Sequence, residues 1–148
     1  MNSNYEYMEV AERILDRIKK CGSIDGPPHI TRDDLVELVG ANSGRVNCYP
    51  GTPGTGCCQV AFFISLTSER YIPPRGRGHL TFRKILEKFV QHMQGHCKGD
   101  TDVAILIFDR PDPDALNEWQ SNINQIRRDG AHIEAFQITG DKVNPINL

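Results

Sequence analysis

The clearest pattern in the chain is the unbroken apolar run Val103-Ala-Ile-Leu-Ile-Phe108, which gives way at once to Asp109-Arg-Pro-Asp-Pro-Asp114. Six apolar residues without Gly or Pro are too few for a stable helix. They suit a strand buried on both faces, as strands inside parallel sheets are. The two prolines and three aspartates that follow forbid its continuation. Val60 to Leu66 is a second β-rich run and Ala131 to Ile138 a third.

Helical periodicity fills the gaps between these runs. From Leu80 to His96, Phe82, Ile85, Leu86, Phe89, Val90 and Met93 share one face. Pro113 or Asp114 opens another helix, with Leu116, Trp119, Ile123 and Ile126 inward. Arg127 and Arg128 stand in its last turn and Gly130 just beyond, where helix ends favour such residues. Strand, helix, strand, helix, strand implies parallel pairing through right-handed crossovers.

The first part of the chain reads differently. Tyr7 to Cys21 predicts an amphipathic helix with Tyr7, Ala11, Ile14, Leu15 and Ile18 on one face and charges on the other. Thr31 caps a second helix that runs to about Val39 and stops at Gly40. Ala41 to Val46 suits a short third helix, and Tyr49 to Gly56 is a breaker-rich loop. Tyr71-Ile72 suits a short paired strand, and the residues after Gly140 read as a loose tail. The expected architecture is α/β: a small, mostly parallel sheet of three to four strands flanked by helices, over residues 57–148. A helical segment over residues 1–56 precedes it.

Composition narrows the classes of function. With 148 residues the chain can bury one sizeable core. Apolar content of 39% and charged content of 24% are ordinary for a globular protein. A formal net charge of −2 argues against strong nonspecific binding to nucleic acid or membrane by the whole chain, though a local basic patch is compatible with it. No apolar run approaches the roughly 20 residues that span a bilayer. The opening Met1-Asn-Ser-Asn-Tyr-Glu lacks the basic-then-apolar pattern of a signal peptide, so a cytoplasmic location is expected. Five cysteines, an odd number, suit reduced thiols.

Four stretches carry candidate chemistry. Leu35-Val-Glu-Leu-Val-Gly-Ala-Asn-Ser-Gly-Arg-Val46 resembles the generic helix-turn-helix pattern, with Leu35, Val36, Gly40, Ala41, Asn42 and Val46 at the places it requires. That resemblance implies that Ser43, Arg45 and Asn47 face the major groove of DNA, where Arg and Asn read base edges. Pro50 and Gly51 would stop the second helix after about two turns, and Gly44 weakens it.

Arg75-Gly-Arg-Gly-His79, with Arg83 close behind, lies just before a helix N-terminus. Free backbone N–H groups and guanidinium groups would converge there on a phosphate, and the glycines would let it approach the main chain. Asp109, Asp112 and Asp114 would stand at the same sheet edge if their strand neighbours Val60–Leu66. Asp109 and Asp112 could then hold Mg²⁺ for phosphoester hydrolysis. Asp is equally a turn residue and an N-cap, and no Glu-x-Lys pair follows a strand as in nucleases of the restriction-enzyme class. Cys48, Cys57 and Cys58, with His92, His96 and Cys97, contain no Cys-x-x-Cys pair, so idle thiols are preferred to a Zn²⁺ site. Pro50 to Gly56 lacks the Lys-Ser/Thr of a phosphate-binding P-loop and precedes a strand.

The leading expectation is a nucleic-acid-interacting protein. Its N-terminal helices would contact DNA, and the Arg75–His79 loop would bind phosphate of DNA or of another phosphate-bearing ligand, with no cofactor. A Mg²⁺-dependent phosphoesterase or nuclease is the alternative enzyme. A non-catalytic nucleotide-binding or protein-interaction module is the third reading. So small a parallel unit also suggests a homo-oligomer.

Overall fold

A computed structural model describes residues 3–21, 46–49, 60–68, 80–95, 101 and 103–148. The expected helix from Thr31, the Tyr71-Ile72 strand and the Tyr49–Gly56 loop beyond its first residue lie outside the described residues. Among those described, the chain runs α1 (Ser3–Cys21), β1 (Val46–Tyr49), β2 (Val60–Ser65), α2 (Phe82–Gln94), β3 (Val103–Phe108), α3 (Pro113–Arg128), β4 (His132–Thr139) and β5 (Lys142–Ile146).

The five strands form one sheet in the order β1-β2-β3-β4-β5. Strands β1 to β4 pair in parallel, with Val60 opposite Val103 and Val103 opposite His132. Strand β5 pairs antiparallel to β4, with Thr139 opposite Lys142. The α/β class holds, but the sheet is mixed and has five strands among the described residues, where three or four, mostly parallel, were expected.

Two differences account for the correction. The tail after Gly140 is a strand. Gly140 has φ +61°, the value needed at the first central position of a two-residue hairpin turn, and it folds β5 back onto β4. Pro145 reads as a breaker, yet an edge strand tolerates a residue without an N–H. Val46 to Tyr49 is the second difference: these residues form β1, where a short helix was expected to end. The segment expected to be helical over residues 1–56 thus supplies both a helix and a strand to the sheet assembly.

Both faces of the sheet are covered. On one face α1 lays Val10, Ala11, Ile14 and Leu15 against Val60, Phe62, Ile64, Ile105, Ile107, Phe136 and Ile138. On the other, α2 and α3 pack Ile85, Leu86, Phe89, Ile123 and Ile126 over Ala61, Phe63, Ala104, Leu106 and Ala135. Two successive crossovers of one hand, stepping the same way across the sheet, bring both helices to one face. Strand alternation sends neighbouring residues of β2 to opposite layers, so every residue of β2 is buried. This is why Val60 to Ile64 reads as a continuous apolar run.

Candidate functional site at the carboxyl rim of the sheet

Parallel strands β2 and β3 end together, Ser65 opposite Phe108, so the loops that follow them leave from the same rim. Asp109 joins those loops. Its backbone N–H donates to the Ser65 carbonyl at 3.2 Å. Its carboxylate accepts from the Thr67 N–H at 3.1 Å, the Thr67 hydroxyl at 3.3 Å and the Ser68 N–H at 2.7 Å. A carboxylate that accepts charge-assisted bonds from two consecutive N–H groups fixes the exit of the β2 loop.

The same loop is fixed where it re-enters. The Ser65 hydroxyl, itself buried, donates to the Leu80 carbonyl at 2.7 Å. Thr81 then caps α2 by accepting from the Lys84 N–H at 3.2 Å. Ser68 and Leu80 therefore both stand at this rim; Arg75, Arg77 and His79 lie outside the described residues.

Arg83 and Asp112 stand beside this clasp on the helices. Asp112 is the N-cap of α3, with Oδ1 accepting from the N–H groups of Asp114 at 3.0 Å and Ala115 at 3.4 Å. Its Oδ2 meets Arg83 at 3.4 Å, and Arg83 also pairs with Glu118 of α3. The hydrogen bond that Arg83 donates to Glu118 is the chief reason its guanidinium is held above its ordinary pKa. All three side chains are well exposed, so the network orients α2 against α3 more than it stabilises them. Arg110, next to Asp109, is exposed and makes no ion pair among the described residues.

The residues expected to form sites fare unevenly. Asp109, Asp112 and Arg83 do gather at one rim. The two aspartates, however, direct their oxygens at N–H groups and a guanidinium, and no cluster of three His, Cys, Asp or Glu side chains suited to a metal ion forms among the described residues. Asn47 lies on β1, paired with Ala61, while Ser43 and Arg45 lie outside the described residues. The side chain of Cys48 also lies outside them, as do Cys57, Cys58, His96 and Cys97.

Sequence reading named His92 only within the disfavoured Zn²⁺ set and missed its polar contacts, as it missed a second polar contact at Glu134. His92 is buried on α2, with Nδ1 3.4 Å from the Tyr49 hydroxyl and Nε2 3.2 Å from the Thr101 hydroxyl. Its register with Phe89 on the inner face of α2 was the available signal; the partners 43 and 9 residues away were not readable. Glu134 is buried on β4 and lies 2.5 Å from Nε2 of His132. Their spacing of two residues on a strand places both on the face covered by α1.

Comparison with models of protein families, with characterised proteins and with solved structures finds no match. Among the described residues no helix is long and apolar enough to cross a membrane.

Proposed function

We propose that this chain is a non-catalytic binding protein that takes a phosphate-bearing ligand at the carboxyl rim of its sheet, nucleic acid being the first class of ligand. In this reading Arg75, Arg77 and His79 supply the anion contacts, and Arg110, exposed after β3, adds positive charge at the rim. The carrying observation is the Asp109 clasp. Asp109 holds Thr67 and Ser68 at the end of β2, and the Ser65 hydroxyl holds Leu80, so the described residues on either side of 69–79 stand where open α/β sheets bind ligands, which supports this reading. Arg83 stands at the same rim, but two carboxylates already share its charge. Asp109 serves here as a structural acceptor, which favours binding over Mg²⁺-assisted hydrolysis. A DNA-reading role for Ser43, Arg45 and Asn47 has weaker support, because Asn47 belongs to a strand of the sheet.

The test is a fluorescence-anisotropy titration of a labelled DNA duplex, repeated at several salt concentrations and alongside melting curves with ATP. Duplex binding whose log affinity falls linearly with log salt supports nucleic acid as the ligand. A rise in melting temperature with ATP and no duplex binding assigns the site to a nucleotide. Absence of both overturns the proposal, and Mg²⁺-dependent cleavage of the duplex overturns its non-catalytic part.

A further inference from the structure

We draw no further inference here: the strongest candidate, the cavity of about 310 Å³ between α1 and the β4–β5 hairpin lined by Glu12, Asp16, Asp141, Lys142 and Asn144, is an acidic cluster into which no buried, unpartnered polar group points to mark a ligand.

Discussion

Asp109 and Arg83 stand at the same rim of the molecule, and both are charged side chains that bridge two elements, yet they do different work. Asp109 is half-buried and meets backbone N–H groups whose positions are set by the strand end before them. Arg83 is exposed and meets two other exposed side chains. The first arrangement loses little side-chain entropy and shields its charge from water. The second must order long side chains in a medium that screens them. Two polar contacts at one rim can thus differ widely in what they contribute.

The contrast can be broken by substitution. Asp109→Ala leaves the Thr67 and Ser68 N–H groups without their acceptor, and bonds to a charged partner are the costly ones to lose. Urea unfolding should show a loss of about 2–3 kcal/mol, a drop in melting temperature of about 4–12 °C for a domain of this size. An unchanged midpoint would mean that water replaces the carboxylate without cost and that the clasp holds nothing.

Asp112→Ala should cost less, about 1 kcal/mol, because it removes one N-cap from α3. Thr81→Ala should cost a similar amount at α2. A double variant sharpens the point: the two caps lie on different helices, so their effects should add within about 0.5 kcal/mol. Strong coupling between them would show that the Asp112–Arg83 contact ties the two helix starts together more firmly than its exposure suggests.

Arg83→Gln should leave the unfolding midpoint within experimental scatter, since both carboxylate partners stay hydrated when it is removed. A clear loss of stability would place Arg83 in the same class as Asp109 and erase the contrast.

The sequence made the interior of this fold legible and left its edges obscure. Strands β2 and β3 and helices α2 and α3 announce themselves because each buries a largely apolar run or a helical stripe, and burial writes itself into residue type. Strands β1 and β5 are short edge strands. Val46-Asn-Cys-Tyr49 carries too few apolar residues to outweigh the breakers beside it, and Lys142-Val-Asn-Pro-Ile146 includes a proline that only an edge accepts. The candidate site divides in the same way. That Asp109 ends a strand and Asp112 caps a helix follows from local spacing. That Asp109 reaches Thr67 and Ser68 follows from the β2–β3 register, a contact across 42 residues that no local pattern encodes.

The central functional claim is that the rim binds phosphate through the arginine-glycine segment, and it concerns affinity, not folding. The most direct test compares the intact chain with an Arg75→Ala, Arg77→Ala double variant in duplex and ATP titrations, with melting curves run in parallel. The account predicts that the double variant melts as the intact chain does and binds at least about tenfold more weakly, the equivalent of about 1.4 kcal/mol. Equal affinity in the two proteins, with folding intact in both, would contradict it.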